Sequence, residues 1–215
     1  NGEAARWADL VVLAVKPQVM GEVLEQVRHA IGSHTLVISI AAGIPLLSLR
    51  SKLGTDRVVR TMPNTPAQIG KGITGAVGQH VSASDRETVD LLLEAAGQVV
   101  WFDDETMIDA VTAVSGSGPA YVFYFVEALA AAAQRQGFAS GDAMSLARQT
   151  VIGAAALLAV DDLPAAKLRE NVTSPNGTTA AALGVLMAPD GLEPLLDRAV
   201  QAARLRSEEL GRLAG

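Results

Sequence analysis

A continuous apolar run, Leu10-Val-Val-Leu-Ala-Val15, is the first strong signal along the chain. Such a run marks a strand covered on both faces. Pro17 ends it, and residues 18–31 predict a helix whose apolar positions Val19, Val23, Val27 and Ile31 recur every four residues. Thr35–Ile40 predicts a second buried strand, closed by Ala41-Ala42-Gly43. Pro45–Leu53 predicts a short helix, and Arg57–Arg60 a third strand leading into Met62-Pro63-Asn64-Thr65-Pro66. Ile73–Val77 reads as a further strand, Asp85–Ala96 as a helix with Ser84 as its N-cap, and Gln98–Phe102 as the last strand. Strand and helix alternating at these spacings predict a parallel α/β sheet.

After Asp103-Asp104 the pattern changes. Alanine and leucine dominate, and helices are predicted at about 105–136, 140–160, 177–187 and 190–213. The fold class is therefore α/β plus all-α, with a sheet domain over 1–103 and a helical domain over 104–215. A small, apolar helical domain of this kind is suited to dimerisation. Ala143–Val160 is the most apolar long window, but it contains Arg148 and Gln149 and reads as a buried helix rather than a membrane span.

Composition narrows the function classes. The chain has 215 residues, 49 % of them hydrophobic and 19 % charged, so a disordered chain is excluded. The net charge of −6 and the lack of a Lys/Arg run argue against nucleic acid. With no cysteine there is no disulfide framework, Fe–S site or thiol nucleophile. His29, His34 and His80 are scattered over a helix and two loops, so no zinc site and no Ser/His/Asp triad is expected. The acidic pairs Asp103-Asp104 and Asp161-Asp162 fall at predicted boundaries and read as solvated. Asn1–Asp9 is polar and mixed, so no secretory leader is expected, and a reducing, cytoplasmic compartment is the default. The chain opens without Met about eight residues before a strong strand, as though mid-domain.

Ligands of open parallel sheets bind beyond the carboxyl ends of the strands. Three exits there are unusual: Ala14-Val15-Lys16-Pro17, Ser39-Ile40-Ala41-Ala42-Gly43 and Met62–Pro66. Small residues let a ligand approach the backbone, and Lys16 can reach a phosphate. The bland alternative is ordinary turns with a surface lysine. A fourth feature, Ala113-Val-Ser-Gly-Ser-Gly-Pro-Ala-Tyr121, places Pro119 in the first turn of a helix capped by Ser117 or Gly118. Its small residues serve tight helix packing equally well. The fifth, Asn171-Val-Thr-Ser-Pro-Asn-Gly-Thr-Thr-Ala180, runs from a turn into an alanine helix. The N–H groups of Gly177, Thr178 and Thr179, with the hydroxyls of Ser174, Thr178 and Thr179, form a cradle for an anion such as a carboxylate. Plain capping chemistry fits the same residues. No acid or base is evident, which suits hydride transfer, where the cofactor carries the chemistry.

Five stretches resemble the pyrroline-5-carboxylate reductase family, in its order and at its spacing. They are Ala14–Pro17, Ser39–Gly43, Arg60–Pro66, Val114–Tyr121 and Thr173–Thr179. The resemblance covers essentially the whole chain. It implies an incomplete Rossmann-type domain followed by a helical dimerisation domain, and reduction of 1-pyrroline-5-carboxylate to L-proline with NADPH or NADH. It further implies that Val15, Lys16, Pro17, Ala41, Ala42, Asn64 and Asn171 bind the dinucleotide. Ser174, Gly177, Thr178 and Thr179 would hold the substrate carboxylate, with the Thr179 hydroxyl, as catalytic group, near the ring nitrogen. A homodimer through the helical domain is implied, with larger rings of dimers.

The chain departs from the family pattern in two places. The family opens with a strand and a glycine-rich phosphate loop, roughly sixty positions that precede Leu10–Lys16 and are not among these residues. Asn176 stands where the family has a second glycine, and Asn is the side chain that best tolerates a left-handed backbone. One alternative is a non-catalytic dimerisation module of the same fold. Another, a β-hydroxyacid-type dehydrogenase, requires a lysine on the inter-domain helix, and residues 105–136 contain none.

Overall fold

The computed structural model describes residues 1–214. A short helix α1 (Gly2–Arg6) leads into β1 (Leu10–Leu13), α2 (Pro17–Val27), β2 (Leu36–Ser39), α3 (Leu46–Leu53) and β3 (Val58–Met62). A 3₁₀ turn (Thr65–Ile69) then leads to β4 (Gly72–Val77), α4 (Ala83–Leu93) and β5 (Gly97–Phe102). The helical half follows: α5 (Met107–Val111), a π-helical turn (Thr112–Gly116), α6 (Gly118–Arg135), α7 (Ser140–Val160), α8 (Ala165–Asn171), α9 (Thr178–Leu186) and α10 (Leu192–Ala214). Neither α1 nor α8 has a counterpart in the sequence reading, because both are short and lack a periodic apolar stripe.

The five strands lie side by side in chain order. β1–β2, β2–β3 and β4–β5 pair in parallel, and β3–β4 pair antiparallel. The sheet expected to be parallel is thus parallel-dominated, with one reversal. The cause is the connection. Residues 63–71 hold only a 3₁₀ turn between β3 and β4, and a parallel return needs a longer crossover. Helices α2, α3 and α5 bury Leu24, Leu49 and Ile108 with Val37 and Val58 on one face of the sheet. Val89 of α4 packs with Ile38 and Val59 on the other.

Two local expectations are corrected. α2 ends at Val27 rather than residue 31, and buries Met20, Leu24 and Val27 while Val19 is 42 % exposed. A strict spacing of four drifts by 40° per step around a helix, so a buried stripe alternates threes and fours. Ser82, not Ser84, caps α4. Its hydroxyl accepts from the Asp85 N–H at 3.1 Å and its own N–H donates to the Asp85 carboxylate at 3.0 Å. Ser82/Asp85 and Ser84/Glu87 both fit the capping-box spacing. Arg57 decides between them, because it pairs with Asp85 and holds that carboxyl below its usual range by hydrogen bonding.

The chain divides into two compact units, Asn1–Pro119 with Val200–Gly215, and Ala120–Ala199. The boundary expected at 103/104 falls inside the first, between β5 and α5. In the second unit the buried residues are alanines, Ala130, Ala143 and Ala147, while Phe123 is 64 % and Leu157 58 % exposed. α7 was expected to be buried. Instead only 11 % of its apolar window is covered, and it is long and apolar enough to cross a membrane by length and composition alone. Alanines let the helices of one chain approach each other closely, and the larger apolar side chains are left facing outward.

Candidate active site

At the carboxyl ends of β1 and β2 the first unit opens a cleft of about 600 Å³. Pro17 and Gln18 line it from the start of α2, Ala42 and Gly43 from the turn after β2, and Thr112 and Ser117 from the π-helical turn. Each position has a local cause. Lys16 is the extended N-cap of α2 and Pro17 its first residue. No side chain caps that helix and its first turn holds no acid, so its N–H groups face a potential anion unopposed. Gly43 sits at φ +74°, a left-handed turn that carries the chain away from the sheet. In the π-helical turn the Ser117 N–H donates to the Thr112 carbonyl at 2.8 Å, five residues back. That extra residue turns Ser117 into the cleft.

The predicted dinucleotide residues are placed unevenly. Pro17 and Ala42 line the cleft, and Lys16 is exposed beside it. Ala41 is buried under the turn, its N–H 3.4 Å from the Ser39 hydroxyl. Val15 lines a separate hollow along β1 and packs on the core. Asn64 is tied into the β3–β4 connection, its side-chain carbonyl accepting from the Ile73 N–H at 3.0 Å. Gln18, Gly43, Thr112 and several α10 residues were missed as cleft residues. Gly43 and Ser117 stood in motifs already singled out; nothing local marks the α10 residues.

The second unit holds the other predicted group. Asn171 is the exposed last residue of α8. Three residues on, the Ser174 carbonyl accepts from the Gly177 N–H at 3.1 Å and closes a turn. Asn176 occupies that turn at φ +58°, the one non-glycine residue with positive φ among the described residues. The left-handed position expected there is real, and Asn fills it in place of glycine. Gly177 is the N-cap of α9 with no side-chain cap, and the first helical bond runs from Ala181 back to the Gly177 carbonyl. The N–H groups of Thr178, Thr179 and Ala180 therefore precede any intrahelical acceptor. A β-carbon on Gly177 would lie 2.3 Å from the Ser174 hydroxyl oxygen. The absent side chain thus leaves room for that hydroxyl to fold over the helix start. The Gly177 N–H, expected as a donor of the cradle, is instead spent on the Ser174 carbonyl; Gly177 contributes space, and the remaining donors of this contiguous stretch are the Ser174 hydroxyl and the N–H groups of Thr178 and Thr179.

A parallel-dominated sheet with a small, left-handed exit after β2 and an uncapped helix start after β1 fits an anionic dinucleotide. Together with a separate anion cradle, it fits the class of Rossmann-type dinucleotide-dependent proteins that act on a small anionic substrate. The comparisons specify further. The family model for pyrroline-5-carboxylate reductase dimerisation matches residues 105–210, and one described as NADP oxidoreductase, coenzyme F420-dependent, matches residues 1–43. The pyrroline-5-carboxylate reductase of Pseudomonas aeruginosa is 46 % identical over all of this chain and 79 % of its own length. That of Glycine max is 38 % identical over 98 % of this chain and 76 % of its own. The solved pyrroline-5-carboxylate reductase of Coxiella burnetii matches 97 % of this chain and 78 % of its own, with TM-score 0.91 and 38 % identity. The Plasmodium falciparum enzyme, solved with NADP bound, matches 98 % of this chain and 80 % of its own, with TM-score 0.82 and 32 % identity. The chain belongs to the pyrroline-5-carboxylate reductase family. The dimerisation match supports homodimer formation, and the exposed apolar surface of α6 and α7 lies within the matched residues.

Proposed function

We propose that the cradle at the start of α9 binds the substrate carboxylate while the cleft at the ends of β1 and β2 binds the dinucleotide. As a member of its family, the chain reduces 1-pyrroline-5-carboxylate to L-proline with NADPH or NADH, the closing step of proline biosynthesis. The observation that carries the site assignment is the uncapped start of α9, with Ser174 folded over Gly177. Pro17, Ala42 and Lys16 hold the dinucleotide, with Ala41 and Val15 shaping the backbone there. Asn64 contributes through its side-chain NH2, its carbonyl being engaged, and Asn171 through its amide.

The dinucleotide, when bound, supplies the hydride to the C=N carbon. This chain's residues orient the substrate for that step. The amides of Thr178 and Thr179 and the Ser174 hydroxyl donate hydrogen bonds to the carboxylate, fixing the ring. The Thr179 hydroxyl accepts from the N–H of the protonated imine, and hydride addition at the carbon returns the C=N electron pair to that nitrogen, which becomes the secondary amine and keeps its proton. The iminium carbon is already electrophilic, so orientation and charge placement supply the rate without a general acid. The protein acts in the cytoplasm on a small imino acid, without nucleic acid or membrane. Its residues 104–215 supply the substrate site and the dimer, and residues 1–103 the strand exits of the dinucleotide half, whose cleft Thr112, Ser117 and α10 also line. Dimers assemble further into rings.

The test pairs intact mass with dinucleotide-dependent reduction of 1-pyrroline-5-carboxylate by wild type and Thr179→Ala. Thr179→Ala should lower kcat/KM about 10- to 100-fold, the worth of a hydrogen bond to a charged group, with the dimer intact. Unchanged kinetics would remove Thr179 from the site. A dimer that binds neither proline nor dinucleotide would favour the non-catalytic module.

A further inference from the structure

The last turns of α10 return to the first unit and are fastened there by a buried polar chain. Ser207 is 6 % exposed, a buried polar residue on a helix that otherwise leaves both polar residues and leucines open to solvent. Its hydroxyl donates to the Asp109 carboxylate at 2.7 Å, across 98 residues of sequence. Asp109 lies 3.9 Å from the Arg60 guanidinium, which in turn donates to Glu105 at 2.7 Å. The same Glu105 oxygen accepts from the Leu46 N–H, also at 2.7 Å. One guanidinium thus serves two carboxylates. Asp109 has the weaker share of it and keeps acceptor capacity, which the Ser207 hydroxyl fills. The buried Arg60 Nε has no partner, so the network is incompletely satisfied, and losing Ser207 would leave Asp109 with its long 3.9 Å contact to Arg60.

This anchor sets what borders the cleft. Leu210 lies one turn beyond Ser207, and its Cβ is 3.7 Å from where a β-carbon on Gly43 would sit. The helix therefore rests on the turn after β2. Ser207, Leu210 and Leu213 line the same cleft as Pro17 and Ala42. Leu210 is 43 % and Leu213 75 % exposed, apolar surface left open on a cleft wall.

We propose that Arg206–Leu213 forms the outer wall of the dinucleotide site, and that Ser207 is its positioning residue, acting through Asp109 and Arg60. The proposal rests on the reading that this cleft takes the dinucleotide. Ser207 touches no reacting atom. It holds Leu210 and Leu213 where an apolar face of the bound cofactor packs.

The test is steady-state kinetics of Ser207→Ala, Ser207→Thr, Leu213→Ala and Ala42→Asp in the dimeric enzyme, with Tm for each. Ser207→Ala should raise the KM for dinucleotide about tenfold and leave the KM for 1-pyrroline-5-carboxylate unchanged. Ser207→Thr, which keeps the hydroxyl, should stay at wild type. Leu213→Ala, exposed in the free protein, should raise the dinucleotide KM with no change in Tm. If Ser207→Ala lowers Tm and shifts both KM values alike, Ser207 is merely structural and the proposal is wrong. If Ser207→Ala and Leu213→Ala bind dinucleotide normally while Ala42→Asp does not, the cleft reading stands and the wall is refuted. Normal binding by Ala42→Asp as well would remove the cleft reading itself.

Discussion

Gly177→Ala isolates the cradle from the fold. Gly177 has φ −82° and ψ 177°, extended backbone that any L residue adopts, so the substitution carries no conformational penalty. Its effect is steric. The new β-carbon would stand 2.3 Å from the Ser174 hydroxyl oxygen, about 1 Å short of ordinary carbon–oxygen contact. It would also stand 3.2 Å from the Ser174 carbonyl, which must yield slightly. The hydroxyl is the mobile partner and rotates away. A hydrogen bond to a charged carboxylate contributes about 1.5–3 kcal/mol, so its loss should raise the KM for 1-pyrroline-5-carboxylate roughly 10- to 100-fold. The dinucleotide KM and the dimer should not change. Ser174→Ala should give the same loss, and the double variant no more than either alone, since both remove one interaction. A double variant whose losses simply add would show that Gly177→Ala does not act through Ser174. A wild-type KM in Gly177→Ala would refute the cradle outright.

Substitutions at four further positions bear on stability. Asn176→Ala, at φ +58°, should cost about 1–2 kcal/mol of unfolding free energy and Asn176→Gly much less, by denaturant titration. Gly97→Ala would put a β-carbon 2.0 Å from the Gly72 carbonyl oxygen at φ +141°, so β4–β5 pairing should fail, with a loss above about 3 kcal/mol. Gly21→Ala, with nothing within 4 Å and an exposed place in α2, should instead stabilise by about 0.5–1 kcal/mol; equal thermal shifts for these two glycines would contradict the packing. The Asp85 carboxyl is held below its usual range chiefly by its hydrogen bond to Arg57, so the stability it adds is present above the ordinary carboxylate pKa near 3.9 and lost as pH falls through the lowered folded value. Asp85→Asn should therefore flatten the fall of Tm below about pH 4 and cost about 1 kcal/mol at neutral pH, with half-exposed Arg57 screening part of the pair. An acid limb with the wild-type slope would show that the pair does not titrate as argued.

What could be read from the chain depended on how local the cause was. β2 stood out because all four of its residues are buried, which leaves a continuous apolar run. The reversal at β4 was also present, in the shortness of residues 63–71, but a strand pattern has the same period in either direction. The cap of α4 could not be chosen from spacing alone. Two serines qualify, and Arg57, some 25 positions upstream, decides between them. The exposed faces of α6 and α7 misled for a different reason: apolar content reports that a surface is covered, not by which chain.

The same distinction runs through the site. The cradle is legible because its parts fall within Ser174–Thr179: a turn residue tolerant of positive φ, a glycine whose missing side chain admits a hydroxyl, and an uncapped helix start. The cleft gathers Pro17, Ala42, Ser117 and Ser207 from four distant places, and only the first three sit in recognisable turns. Ser207 looks like any polar residue of an amphipathic helix until Asp109 and Arg60 are seen beneath it. A reaction that asks its protein for orientation rather than for an acid or base leaves few marked residues. Its donors are backbone amides, which no sequence distinguishes, and its walls are small or apolar side chains that resemble ordinary packing. For such an enzyme the informative positions are those where a side chain is missing or a backbone angle is unusual, and Gly43, Asn176 and Gly177 are three of them.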